Sequence, residues 1–235
     1  MTITTQSITP SASFDAVVVD LYRDIHKAIR GELFAVTTSA GRTDPTDRAA
    51  KVDLARHVAE IVELLELHAE HEDVAVQPLI EAHLPSLGEQ IALDHLAFES
   101  RTATLAEQAA ALVDVDGDTA RRQGQRLYLD LASFTGVYLA HQDIEEREVM
   151  PALHELLGAD AMLGVHQQII GSIPPAEMAR SLALMLPAMN VDDRTELLGG
   201  MRAGAPAEVF DDVWALACGV LHPQDTDAVA RRLGL

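Results

Sequence analysis

Two segments of this chain repeat one order of histidine, acidic residues and proline, and this repeat constrains the fold more than any other feature. In each copy a glutamate follows a histidine by four positions, a second acidic residue follows at once, and a proline comes five positions later. The copies lie 73 residues apart and comprise His68, Glu72, Asp73 and Pro78, and then His141, Glu145, Glu146 and Pro151. One further histidine precedes each copy, His26 the first and His95 the second. The repeat therefore predicts two helical hairpins of related design.

Apolar residues recur at helical spacing in four long segments. The predicted helices cover residues 16–36, 47–77, 89–113 and 119–150, and Thr46 or Asp47 is expected to cap the second. Polar or proline-containing connections separate the segments, and Pro78 and Pro151 are expected to end or kink helices. Long helices with short connections predict an all-α fold, an up-down-up-down four-helix bundle with a C-terminal helical appendage.

The character of the sequence changes after Pro151, where glycine and proline become frequent. These residues divide the remainder into short helical pieces. The expected organisation is an N-terminal tail at 1–13, a bundle at 14–157 and an appendage at 165–235 that packs on the bundle. The apolar runs of the appendage are expected to shield one end of the bundle or to form a dimer face, so a monomer or a homodimer is predicted.

The composition narrows the classes of partner. Apolar residues make up 48% of the chain and aromatic residues only 4%, which favours a helical core. A formal net charge of -20 repels nucleic acids and anionic lipids, so neither is expected as a partner. Neither a membrane-spanning run nor a signal peptide is recognisable, and the expected location is the cytoplasm.

The single cysteine, Cys218, excludes an internal disulfide framework and thiolate metal sites. Trp214 and Leu216 lie beside it in an apolar stretch, which predicts a buried, inert thiol.

Three of the ten histidines have a glutamate four positions later, whereas chance would give fewer than one such pair. Residues four apart share a helix face, so each pair can chelate an ion. The pairs are His68 with Glu72, His95 with Glu99, and His141 with Glu145. Imidazole and carboxylate together favour Fe, Mn or Zn over Ca or Mg. A single pair is also typical of a solvated helix face, so the three pairs and the repeat carry the prediction of a two-metal site together.

A ferritin-like carboxylate site is the rival architecture for two metal ions in a bundle. Such sites carry Glu-x-x-His on two helices. No histidine of this chain has a glutamate three positions before it, which argues against that fold.

The segment 24–30 with His26, the two repeat copies and His95 resemble the hemerythrin HHE cation-binding family over roughly residues 14–157. The resemblance implies a non-haem diiron centre in a four-helix bundle, bridged by two carboxylates and by an oxo, hydroxo or peroxo group. It implies terminal ligands to one iron from His26 and His68, bridges from Glu72 and Glu145, and ligands to the second iron from His95 and His141. Substitution of iron by Mn or Zn is compatible with the same residues.

Position 99 departs from the oxygen-carrying members of that family, which place a second histidine four residues after the histidine of the third helix. This chain has Glu99 there. A seventh ligand from Glu99 is expected to add negative charge and to favour ferric iron over reversible oxygenation.

Two functions remain open from the sequence. In the first, the protein binds or senses O2, another small diatomic molecule or iron itself. In the second, a carboxylate-rich diiron enzyme decomposes hydrogen peroxide and protects against oxidative stress.

Overall fold

The computed structural model of the protein describes residues 17–235, and this part of the chain is all-helical. The predicted tail at 1–13 and the first residue of the predicted first helix lie outside the described residues. One π-helical turn, Glu145–Val149, follows the fifth of the α-helices. The α-helices are α1 Arg23–Arg42, α2 Arg48–Ala75, α3 Gln77–His83, α4 Pro85–Leu112, α5 Gly117–Ile144, α6 Met150–Leu157, α7 Ala159–Ser172, α8 Pro175–Ala188, α9 Val191–Gly204, α10 Ala207–Val220 and α11 Pro223–Leu233.

Four long helices pack in a ring, in which α1 lies against α2 and α5, and α4 lies against the same two helices. The contacts between α1 and α5 give their relative direction. The Thr37 and Thr135 hydroxyls are 3.0 Å apart, whereas Gly41, one turn further along α1, lies under the ring of Tyr128, two turns back along α5. The two helices are therefore antiparallel. The prediction of an all-helical bundle is confirmed.

The helix boundaries follow local capping chemistry. The Asp47 carboxylate accepts hydrogen bonds from the backbone N–H groups of Ala49 and Ala50, which confirms it as the cap of α2. Pro78 and Pro151 occupy the second positions of α3 and α6, where the missing N–H of proline costs no intrahelical bond. Both halves of the repeat depart from regular α-helix just before their proline, the first with a turn at Val76 and the second with the π-helical turn.

The predicted start of the first helix is wrong. Helix α1 begins at Arg23, because the Asp20 carboxylate accepts hydrogen bonds from the backbone N–H groups of Tyr22 and Arg23 and ends the preceding irregular segment. The helix also continues to Arg42, through a polar stretch predicted to be a loop. Helix α4 likewise begins at Pro85, four residues before its predicted start.

The bundle contains two apolar clusters with a polar layer between them. One cluster, which includes Leu33, Leu65 and Phe134, fills the part of the bundle near the connection between α1 and α2. The second contains Tyr22, Ile80 and Met150 among others, and joins α3 and α6 to the bundle. The histidines and glutamates of the repeat lie between these clusters along α2 and α5, so the fold places them in the interior.

The C-terminal helices have an apolar cluster of their own, which includes Leu186, Leu198 and Phe210. Helix α8 packs on α1 and α7 contacts α2. The Asp193 carboxylate forms ion pairs with Lys27 and with Arg23, whose Nε lies 3.8 Å away. The segment beyond the bundle is thereby joined to α1 on both sides of His26.

The predicted burial of Cys218 is wrong, because the residue is exposed. Helix α10 turns Phe210 and Ala217 inward, and the next residue after Ala217 is rotated by about 100° away from that face. In the part of the chain that the structure describes, no helix is long and apolar enough to cross a membrane.

Lys51 is the one charged side chain of α2 that is buried near its first turn, with 1% of the residue exposed. Its Nζ donates to the Val115 carbonyl oxygen at 2.6 Å and lies 3.3 Å from Asp116 Oδ1. The ammonium group therefore joins α2 to the connection between α4 and α5. A buried charge of this kind is stabilising only while its acceptors remain in place.

Replacement of Lys51 by alanine is expected to lower the free energy of unfolding by about 2 kcal/mol, since a charge-assisted hydrogen bond and buried alkyl contacts are lost together. Urea denaturation of the metal-free protein measures the change. Arg48→Ala is the matched control, because the Arg48–Asp114 pair on the same helix is exposed and should contribute less than about 1 kcal/mol. Equal losses for both variants would contradict the role of Lys51.

Candidate metal centre

Six of the seven predicted ligands come together in the polar layer of the bundle. His26 lies in the first turn of α1, His68 and Glu72 in the last turns of α2, and His95 near the middle of α4, while His141 lies at the end of α5 and Glu145 opens the π-helical turn. Within residues 17–235, these side chains form two groups that could hold metal ions, and the groups share Glu72. One group is His26, His68 and Glu72, and the other is Glu72, His95, His141 and Glu145.

The Glu72 carboxylate lies between the two histidine pairs. Its Oε1 is 3.0 Å from His68 Nε2 and 3.9 Å from His26 Nε2. Its Oε2 is 3.5 Å from His95 Nε2. One oxygen of Glu72 therefore faces the His26/His68 pair, and the other faces His95 of the second pair.

The Glu145 carboxylate also has one oxygen near each histidine pair. Its Oε2 is 3.5 Å from His26 Nε2, and its Oε1 is 3.1 Å from His141 Nε2. The π-helical turn begins at this residue, and such turns are frequent at functional sites because they re-aim side chains within a helix. Glu145 is 1% exposed, so its carboxylate is directed into the bundle.

Several donor atoms of the cluster have no hydrogen-bond partner. Both oxygens of Glu72 and Oε2 of Glu145 are buried without a hydrogen bond of acceptable geometry, although imidazole nitrogens lie near them. The His26 and His68 Nε2 atoms also face each other at 3.1 Å. Ligands that bind one ion at right angles, each about 2.1 Å from it, lie about 3 Å apart. The spacing and chemistry of the donors therefore fit metal ions.

Glu99 lies outside both groups and is exposed. Phe98 takes the inward position on this turn of α4, with its ring centroid 5.0 Å from that of His141. The next residue along the helix is rotated by about 100° and faces solvent. The structure therefore does not bring Glu99 to the six other predicted residues.

Acidic side chains hold the outer nitrogens of three of the histidines. His26 Nδ1 is 3.0 Å from Glu146 Oε1, and His95 Nδ1 is 2.8 Å from Asp73 Oδ1. Asp73 and Glu146 hold equivalent places in the repeat, and each orients the histidine of a neighbouring helix. Outer carboxylates of this kind fix the ring orientation of a metal-binding histidine and strengthen it as a donor.

Two further residues of this outer layer, Asp94 and Arg30, were not predicted from the sequence. His141 Nδ1 is 3.3 Å from Asp94 Oδ2, and Asp94 directly precedes His95 in the sequence. Arg30 donates to both oxygens of Glu146, at 2.7 and 2.9 Å. Arg30 lies one helical turn after His26 and on the same face of α1, and this spacing could have indicated from the sequence that it lies beside the site.

The electrostatics of the metal-free cluster reflect this mixture of charges. Burial opposes the charge of His26, but Glu146, Glu72 and Glu145 outweigh it and raise the pKa of His26 to about 9. His95 is also partly desolvated, and Glu72 and Asp73 raise its pKa to about 9.

The carboxylates of the cluster shift in the opposite direction. Burial opposes the charge of Glu72, yet His68, His26 and His95 hold its pKa well below the usual range. Burial also opposes the negative charge of Glu146, but His26 and Arg30 outweigh this effect and lower the pKa of Glu146 to about 2. Protonated imidazoles thus stand in for metal charge in the metal-free protein.

Aromatic side chains surround the cluster. The ring centroids of Tyr22 and His26 are 5.0 Å apart, and those of Tyr138 and His141 are 5.7 Å apart. Burial, together with the Glu145 and Glu72 carboxylates, raises the pKa of both tyrosines well above the usual range, so their hydroxyls stay protonated. Neither tyrosine was predicted from the sequence to lie at the site, although Tyr138 lies on the helix face of His141.

The remaining histidines take no part in the two groups. His71 lies three residues after His68, but its Nε2 is 3.3 Å from the Glu177 carboxylate of α8. His57 lies 3.4 Å from Glu32 on the side of the bundle.

Metal binding at pH 7 is expected to release up to one proton from each of His26 and His95, because their pKa is about 9 and a metal ion needs the unprotonated Nε2. The release should fall towards zero as the pH rises past 9, where both imidazoles are already neutral. Calorimetric titration with Zn²⁺ in buffers of different ionisation enthalpy measures it. A proton release that does not change between pH 7 and pH 10 would contradict the raised pKa values.

Comparison with known protein families agrees with this geometry. Residues 17–153 match the family described as the Hemerythrin HHE cation binding domain, and the matched segment contains all six clustered residues. Neither the curated proteins nor the solved structures gave a match. The matched segment covers more than half of the sequence and carries the histidines and glutamates of the buried cluster, so the chain belongs to the hemerythrin HHE cation-binding domain family.

Proposed function

We propose that the cluster binds two non-haem iron ions bridged by Glu72 and Glu145. His26 and His68 would complete one position, and His95 and His141 the other. The observation that carries this proposal is the orientation of the two carboxylates, each with one oxygen towards each histidine pair. Imidazole with carboxylate suits iron, and also Mn or Zn. Glu99 is not included, because its side chain is exposed.

His68→Ala and His141→Ala are each expected to lose at least one iron per chain, because each removes a terminal ligand of a different position. Elemental analysis after anaerobic loading with Fe(II) measures the content, and circular dichroism verifies that the variants remain helical. Glu99→Gln is the matched control and should keep the full content. If both histidine variants kept two irons per chain, the proposed site would be wrong.

For the function of this site, we infer binding or sensing of O2 or another small diatomic molecule, or of iron itself. Two iron ions supply electrons and Lewis acidity when they are bound. The chain's own residues shape the surroundings. Phe98, Tyr22 and Tyr138 limit the entry of water beside the histidines, and the protonated tyrosine hydroxyls are available as hydrogen-bond donors. A small, weakly polar ligand suits such a site better than a bulky polar substrate.

Decomposition of hydrogen peroxide is the second candidate. The buried tyrosines favour it specifically, because their protonated hydroxyls can donate hydrogen bonds to the departing oxygen when an O–O bond is cleaved. Tyr22 and Tyr138 hold their hydroxyl protons near the carboxylates of the cluster. A binding protein does not depend on these protons to the same extent.

Exposure of the anaerobically loaded Fe(II) protein to air, and separately to peroxide, is expected to distinguish the two candidates. A spectral change that purging reverses supports binding or sensing, whereas sustained gas release from peroxide supports the enzyme.

The three tyrosines of the chain sharpen this comparison. In the enzyme, Tyr22→Phe and Tyr138→Phe should each slow gas release by roughly 10²-fold, because a hydrogen-bond donor is lost. Tyr128→Phe is the matched control, because Tyr128 packs on Gly41 away from the cluster. Absence of any reaction with either oxidant would reject both O2 binding and peroxide decomposition while leaving metal binding intact.

A further inference from the structure

The outer layers behind the two histidine pairs carry different charge. Behind His26 stands Glu146, and Arg30 binds both of its oxygens, so the carboxylate and the guanidinium cancel. Behind His95 and His141 stand Asp73 and Asp94. Neither of these aspartates has an ion pair with lysine or arginine among residues 17–235. Each copy of the repeat thus supplies one outer carboxylate, Asp73 or Glu146, but only Glu146 has a cation that neutralises it.

Building on the proposed diiron site, we propose that its two metal positions are unequal and that the His95/His141 position binds a cation more tightly than the His26/His68 position. The outer carboxylates lie one imidazole ring away from the metal positions, a distance at which charges still interact appreciably inside a protein. Two uncompensated negative charges attract a cation, whereas a neutral Arg30–Glu146 pair does not.

Donor strength acts in the same direction as charge. A carboxylate that accepts a hydrogen bond from Nδ1 makes the opposite nitrogen of the ring a better metal donor. Arg30 competes for the electron density of Glu146 and weakens this effect on His26. At the other position, Asp73 and Asp94 act on both imidazoles.

Solvent limits the size of the difference. The side chains of Asp73 and Asp94 are 53% and 36% exposed, so water screens part of their charge. A ratio of about tenfold between the two intrinsic affinities is therefore expected. On dilution, the ion at the His26/His68 position would leave first.

The test is a stepwise titration of the whole metal-free protein with Mn²⁺, which is less prone to oxidation than Fe(II) and gives an electron paramagnetic resonance signal. Single ions and coupled pairs give different signals, so the two stepwise binding constants can be separated. Isosteric substitutions then remove outer charge while keeping an acceptor for the imidazole N–H.

Each variant has an expected sign. Asp94→Asn weakens the tighter position and should bring the two binding constants closer together by several-fold. Glu146→Gln leaves the Arg30 charge uncompensated behind the weaker position and should move them further apart. Arg147→Gln is the control for a lost positive charge, because the Arg147 side chain is exposed and pairs with the half-exposed Asp143, and it should leave the ratio unchanged.

The outcomes separate this inference from the diiron proposal. If Asp94→Asn moved the two binding constants further apart and Glu146→Gln brought them closer together, the His26/His68 position would be the tighter one. No effect of either variant would show that outer charge does not set the affinities. Either result overturns the inference. Binding of fewer than two ions by the unaltered protein would instead overturn the diiron proposal.

Discussion

The burial of two glutamates among four imidazoles is the interaction on which the rest of the bundle depends. Glu72 and Glu145 are almost completely buried, and an uncompensated carboxylate in that position would cost several kcal/mol. The compensation comes from α1, α2, α4 and α5 at once, because the nearby histidines are distributed over all four. Correct packing of the helices and formation of the site are therefore the same event, and the site also separates the two apolar clusters of the bundle.

Helical periodicity and the repeat were sufficient to predict the all-helical bundle and the six clustered residues. Spacing along a helix determines which residues share a face, so His68 with Glu72 and His141 with Glu145 could be paired without coordinates. The same rule failed for Glu99, since His95 and Glu99 share one face only approximately and Phe98 fills the inward space between α4 and α5. Spacing alone does not state which of two adjacent positions faces the core.

Contacts between helices account for what the sequence did not predict. Arg30 of α1 binds Glu146, which follows α5, and Asp94 of α4 lies beside His141 of α5. Both contacts join different helices, so spacing along one helix does not predict them. The start of α1 depended on one side-chain cap by Asp20. The exposure of Cys218 depended on the face that α10 turns towards the other C-terminal helices.

The π-helical turn at Glu145–Val149 marks a place where this chain can change in length by one residue. A π-turn closes its hydrogen bonds over one more residue than an α-turn, so the segment after Glu145 carries one residue that a regular helix would not need. Loss of a single residue after Glu145 would restore α-helical continuity and leave α5 and α6 nearly in register, because the wide π-turn already absorbs the extra residue. In the first half of the repeat, the equivalent position is Val76, a single non-helical residue that separates α2 from α3. The two halves therefore share their ligands but differ in backbone at this turn, and only the second half remains one continuous helix through it.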